Sequence, residues 1–307
     1  MPDIANQTQR DHAGVLDWVG MDRIEMPILL ADAGGQAQRV SARVAAYVNL
    51  HRTDVRGIHM SRLYLHVDRH LSCEPLTPAS LRRLLRDFLD SHVGLSDRAM
   101  LRVRFDHLLR RRALASENSG WRAYPVEIAA HMESGQFTVE AAVEVQYSST
   151  CPASAALSRQ LIRERFEMDF ADRASIDRES VRAWLDDGEG FVATPHAQRS
   201  VAKVRVKLVP GFDFPFTDII NGVEDALQTP VQTVVKREDE QAFALRNGRN
   251  LMFCEDAARR IRHVLDADER IADFWLRAEH CESLHPHDAV AVVTKGVVGG
   301  YRAIDMF

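Results

Sequence analysis

A cysteine stands where a strand-like run ends. "YSSTCPASAALSRQL", residues 147–161, passes from Ser149 and Thr150 into Cys151 and Pro152. A thiol in that place is a metal ligand, a nucleophile or a small buried hydrophobe. If the alternation of 137–147 runs on, Cys151 falls on the apolar face, which is the packing reading. The chemical readings need helpers, and candidates lie downstream. "TPHAQRS" puts His196 after Pro195 and just ahead of a strand. "KREDE" (236–240) sets three carboxylates beside two cations, and "ESLHPHDA" (282–289) places His285 and His287 around a proline at another strand entrance. Histidines outside the apolar faces are poor core filler. Cysteine, histidine and carboxylate with one position left open suit a catalytic divalent ion. Such an ion lowers the pKa of bound water and makes hydroxide at neutral pH. Spacing alone does not select a metal: Cys151, His196 and Glu240 lie about 45 residues apart, unlike a compact finger or an H-E-x-x-H helix.

The elements that must carry these groups follow from period. In 38–48, Val40, Ala42, Val44, Ala46 and Val48 share a face; in 99–109, Leu101, Val103 and Phe105 oppose Arg102, Arg104 and Asp106. In 136–147, Phe137, Val139, Ala141, Val143, Val145 and Tyr147 oppose Thr138, Glu140, Glu144 and Gln146. Each reads as a half-buried antiparallel strand. Between the first two lies a helix, with Thr77 as cap, Pro78 in its first position, and Leu81, Leu84, Leu85, Phe88 and Leu89 at helical spacing. The second half repeats the plan: strands at 200–209, 271–280 and 288–294, and helical stripes at 217–228 and 250–266. Strands, helices, then strands, twice, predict an α+β fold of antiparallel sheets with helices on one face. The expected division is 1–150 and 151–307, with a charged helical insertion at about 157–190. No residue-level repeat links the halves.

The whole chain sets wider bounds. Its 307 residues bury a real core and hold two modules. A net charge of −5 gives no global pull toward nucleic acid or an anionic membrane. Lys203, Lys207, Lys236 and Lys295 are the only lysines among 39 cations, so any anion site falls largely to arginine. The N-terminal stretch has no apolar leader, and no run reaches the ~18 apolar residues of a membrane span. Cys73, Cys151, Cys254 and Cys281 are scattered without a C-x-x-C pair, as expected of cytoplasmic thiols and not of a disulfide framework.

Six short motifs in order carry a resemblance. "GIHMSR" (57–62), "STCPAS" (149–154), "HAQRS" (196–200), "KREDE", "FCEDAARRI" (253–261) and "ESLHPHD" together resemble the prokaryotic type IB GTP cyclohydrolase I family. "VGM" (19–21) fits the start of the same pattern. The resemblance implies opening of the imidazole ring of GTP. Water adds at C8, formate leaves, and the ribose rearranges and recloses to give 7,8-dihydroneopterin triphosphate, a pterin of the kind used in folate biosynthesis. It implies a tunnelling fold with two modules per subunit, and a homotetramer with sites at subunit interfaces. It also implies a divalent ion: zinc, manganese or iron.

Carried over motif by motif, the implied metal ligands are Cys151, His196, Glu240 and His285. Cys151, His285 and Glu240 are also the implied catalytic groups. Glu255, of F-x-E-D, is the implied purine anchor, because a carboxylate accepts from both guanine N1–H and the 2-amino group. Read without the family, Glu255 is a helix-surface residue paired with Arg259. His59, Arg62, Arg199, Lys236 and Arg237 are candidates for the phosphates. Ala153 stands where many members have a second cysteine that contacts substrate, Ala155 where many have lysine, and the Cys151–His196 spacing is lengthened by the insertion. Three alternatives stay open: a tunnelling-fold enzyme acting on another purine or pterin, a non-catalytic nucleotide or metal binder, and a hydrolase with Cys151 as nucleophile.

Overall fold

Residues 13–31, 37–188 and 190–304 are described by a computed structural model. Most of the N-terminal stretch read as lacking a leader lies outside the described residues. Eight strands form one antiparallel sheet in chain order. They are β1 (Leu16–Ala31), β2 (Ala37–Leu50), β3 (Arg98–Arg112), β4 (Ser119–Glu133), β5 (Gln136–Thr150), β6 (Ala197–Leu208), β7 (Ile271–His280) and β8 (Ala289–Thr294). α1 (Met60–Cys73) and α2 (Pro78–Ser91) join β2 to β3; α3 (Pro152–Asp169) and α4 (Arg178–Asp186) join β5 to β6. α5 (Phe216–Leu227), α6 (Arg237–Arg249) and α7 (Cys254–Ala267) join β6 to β7.

Period-2 alternation puts Ala46, Leu101, Ile128, Val143, Val204 and Leu276 on one buried face of the sheet. Onto that face pack the stripes Leu63, Val67 and Leu71 of α1, Leu81, Leu84 and Phe88 of α2, and Ile220, Val223, Ile261 and Leu265 of α5 and α7. The opposite face stays polar and open. Arg43, Arg102, Arg104, Glu127, Lys203 and Arg205 line a concavity of about 950 Å³ there. The α+β architecture with helices on one face is therefore the one expected. α2 starts as its sequence predicts: Thr77 Oγ1 accepts from Ser80 N at 3.1 Å, Ser80 Oγ accepts from Thr77 N at 2.9 Å, and Pro78 follows the cap. Among the described residues no helix is long and apolar enough to cross a membrane.

Three elements differ from the periodic reading. β1 has a register shift between Met21 and Ile24, with Arg23 at φ 58°, so its alternation breaks in mid-strand. Just before the break, Gly20 of "VGM" lies so close to β2 that a Cβ there would sit 2.0 Å from the Ala46 carbonyl oxygen. α6 is helical with only Asp239 buried, and so shows no apolar stripe. The insertion begins at Pro152, earlier than expected, because Cys151 itself caps α3. Its two helices are held to each other by Phe166, Phe170 and Trp184, with ring centroids 4.8, 5.4 and 6.3 Å apart.

Candidate active site

β5 and β6 end side by side, and their register carries Thr150 opposite Ala197. Cys151 follows directly, and its N–H donates to the His196 carbonyl at 3.3 Å. Its Sγ accepts from Ser154 N at 3.5 Å, and Ser154 Oγ accepts from His196 N at 3.1 Å. The chain thereby brings the thiol and the segment bearing His196 together across the insertion. Next to them, Met252 N donates to the Thr150 carbonyl at 3.2 Å, which docks the start of α7 against the same strand end.

These elements enclose a pocket of about 160 Å³ lined by Cys151, Gln198, Met252–Glu255, His280, Glu282 and Ala289. Two of the predicted groups, Cys151 and Glu255, thus share its walls, and His196 stands at its edge. His196 Nδ1 lies 3.0 Å from Gln198 Oε1 and 3.6 Å from Glu282 Oε2. Gln198 Nε2 in turn donates to Ser149 Oγ at 2.9 Å, which meets Ser200 Oγ at 2.8 Å. With Gln198 oriented so, the His196 proton belongs on Nδ1, and Nε2 keeps its lone pair.

Electrostatics separates the groups around α7. Glu255 accepts from its own backbone N–H and from the Cys254 thiol (Sγ to Oε2, 3.3 Å), and these bonds hold its carboxyl below the usual range. Burial, aided by Glu255, pushes the Cys254 thiol up to about 11, so it remains a donor. Burial pushes His280 down to about 4, against the opposite pull of Glu255 and Asp256. The Glu255–Arg259 pair does not form; Arg259 instead binds Asp256 at 3.1 Å.

The other predicted residues lie outside the walls of this pocket. Glu240 is exposed in the first turn of α6. His285 is exposed in the β7–β8 connection, stacked on His287 with ring centroids 4.9 Å apart. His59 stands at the N-cap position of α1 with no side-chain capping bond, and Arg62 Nη1 donates to the Ser91 carbonyl at 2.6 Å. Lys236 is the exposed cap of α6, and Arg199 is exposed on β6 beside the Cys281 N–H, which its carbonyl accepts at 3.2 Å. Ala153 is exposed in the first turn of α3, so the position of the missing second thiol faces outward. Sequence reasoning missed Glu282, Gln198, Cys254 and His280. Glu282 stood inside a quoted motif, but nothing in its spacing set it apart from its histidine neighbours.

Within "KREDE" one carboxylate is buried. Asp239 is 0 % exposed and accepts from Ala115 N, Ser116 N and Lys236 N, each at 2.8 Å, and from Ser116 Oγ at 2.6 Å. It ties the β3–β4 turn to the helix that carries Glu240. Those donors, Lys236 N first, hold its carboxyl far below the usual range. A depressed carboxyl contributes stability above its unfolded pKa that is lost as the pH falls. Asp239→Asn therefore lowers the melting temperature at pH 7, and the gap to wild type narrows below about pH 4. Melting curves from pH 7 to 2.5 check this, and a gap constant over that range refutes it.

Residues 1–291 match the family described as type I GTP cyclohydrolase folE2. A GTP cyclohydrolase FolE2 of Hydrogenovibrio crunogenus is 52% identical over 301 residues, covering 98% of this chain and 96% of the relative. That of Pseudoalteromonas translucida is 48% identical over 304 residues, covering 99% and 100%. Uricase from Arthrobacter globiformis superposes with a TM-score of 0.50 at 9% identity, over 92% of this chain and 95% of that one. At that identity the likeness is one of fold, and the fold is the tunnelling fold expected above.

Proposed function

The chain belongs to the type I GTP cyclohydrolase FolE2 family, and from that premise we propose that the pocket between Cys151 and Glu255 is where its GTP is opened. The observation that carries this is their convergence: two residues from distant motifs, one suited to holding a cation and one to holding a guanine edge, share one small cavity. Glu255, with its depressed carboxyl, is an ionised acceptor at neutral pH. It takes guanine N1–H and the 2-amino group, a pair that adenine does not offer. The product is 7,8-dihydroneopterin triphosphate, with C8 leaving as formate.

Cys151, His196 and Glu282 offer sulfur, imidazole and carboxylate, a mixture suited to zinc, iron or manganese, but their ligand atoms are not gathered around one point on this chain; among the described residues the gathered group is Glu279, Cys281 and Asp288. The Nδ1 contact to Gln198 leaves His196 Nε2 for the ion, the usual arrangement behind a metal-bound histidine. When bound, the ion supplies Lewis acidity and a water reactive at neutral pH. Glu240 and His285 are exposed, as groups completing the site across the subunit boundary of a homotetramer would be before assembly. There they hold and pass protons. His59, Arg62, Arg199 and Lys236 are the side chains offered to the triphosphate.

The test is GTP-dependent formate release by the purified protein, with metal content measured, before and after chelation. Formate released from GTP, lost on chelation and restored by a divalent ion is the expected result. No formate from GTP overturns the reading. Activity that survives chelation but not thiol alkylation transfers Cys151 to the role of nucleophile.

A further inference from the structure

One side chain in the pocket wall is sealed from solvent and unanswered by the protein. His280 lines the cavity with Glu255, is 2 % exposed, and its Nε2 has no hydrogen-bond partner among the described residues. Its neighbours do not supply one. Tyr147 meets the ring edge-on at 5.7 Å between centroids, yet the Tyr147 hydroxyl is itself buried and unpartnered. The Cys254 thiol, also in the wall, is turned to Glu255. A buried ring nitrogen left without a partner is costly, and native interiors keep such groups where something else completes them.

The ligand that fits Glu255 carries the complement. Guanine presents two donors, the 2-amino group and N1–H, and the next atom along the same edge is the acceptor O6. Resting on the reading of Glu255 as guanine anchor, the geometry points to His280 as a second specificity-determining residue, donating Nε2–H to O6 of the bound base. Carboxylate and imidazole then read donor, donor, acceptor in order. Adenine places an amino group where O6 would be, so two donors face each other, and the site rejects it at two points instead of one.

Two nucleotides separate the contacts. 6-Thio-GTP keeps N1–H and the 2-amino group and replaces O6 with a poor acceptor; ITP keeps O6 and lacks the 2-amino group. Wild-type protein prefers GTP over 6-thio-GTP by about tenfold, the worth of one hydrogen bond. His280→Phe reduces that preference to within about twofold and leaves the GTP-over-ITP preference intact, while His280→Gln, which keeps an N–H donor, restores part of it. Preferences are read by competition during formate release or, for a protein that binds GTP without releasing formate, by calorimetric affinities. A lack of turnover then counts against the cyclohydrolase reading, and the same ratios still decide His280. Should His280→Phe not fold, His280→Asn, which retracts the donor, must show the reduced ratio. A wild-type ratio in any folded variant lacking the donor overturns the assignment, and means that the ring serves packing or a trapped water.

Discussion

Replacing Cys151 with alanine lowers GTP-dependent formate release by at least about 10²-fold, because loss of a direct ligand exceeds the 10–100-fold cost of losing a residue behind one. The reason is local. The substitution removes only the sulfur from the pocket wall; the Cys151 N–H still donates to His196. The lost bond to Ser154 N is a helix cap, and an alanine at such a place costs about 1 kcal/mol at most for a donor-to-sulfur contact at 3.5 Å. The protein therefore stays folded, with a melting temperature within a few degrees of wild type, and activity and bound metal fall together. Formate assay, metal analysis and a melting curve on the same sample check this. Cys151→Ala that keeps its metal and works within tenfold of wild type sinks the metal-site assignment.

Glu255→Gln acts on the other end of the substrate. Two charge-assisted hydrogen bonds become one neutral bond and one amide facing a donor. At about 1.5–3 kcal/mol for each bond to a charged group, kcat/KM for GTP falls roughly 10²–10⁴-fold. Because the wild-type carboxyl is held below its usual range, the effect is undiminished across pH 5–8. Steady-state kinetics with GTP and ITP reads it: the variant also loses most of the preference for the 2-amino group. A kcat/KM within fivefold of wild type would falsify the anchor.

The sheet was legible in the sequence wherever one face of a strand is apolar without interruption. Val40 to Val48, Leu101 to Phe105 and Val204 to Leu208 each lie in the strand that their alternation predicts. β1 was not, because the bulge at Arg23 changes which residues point inward halfway along. β4 carries Pro125 within its run, a residue that argues against an inner strand although the ladder with β3 continues through it. α6 hides because its one buried side chain is an aspartate. In the site, Cys151 and Glu255 were legible from motifs. Gln198 and His280 were not: on β6 and β7 they occupy inward positions where alternation predicts core, and their meaning comes only from what lies across the gap. Glu240 and His285 share motifs with the rest but face solvent on this chain, away from the pocket walls.

The α3–α4 hairpin closes on itself. Beyond Ser158, Phe170 is its one buried helix-end residue, and the partners of that ring are Phe166, Trp184 and Arg173, all within the hairpin. The first turn of α3 is moored to the strands through Cys151 and Ser154. The appendage thus springs from the cysteine of the candidate site, which is the N-cap of α3. Its tip, around 172–176, is a place where the chain tolerates lengthening, trimming or a grafted label with no change to the sheet, whereas any cut upstream of Ser158 reaches the thiol.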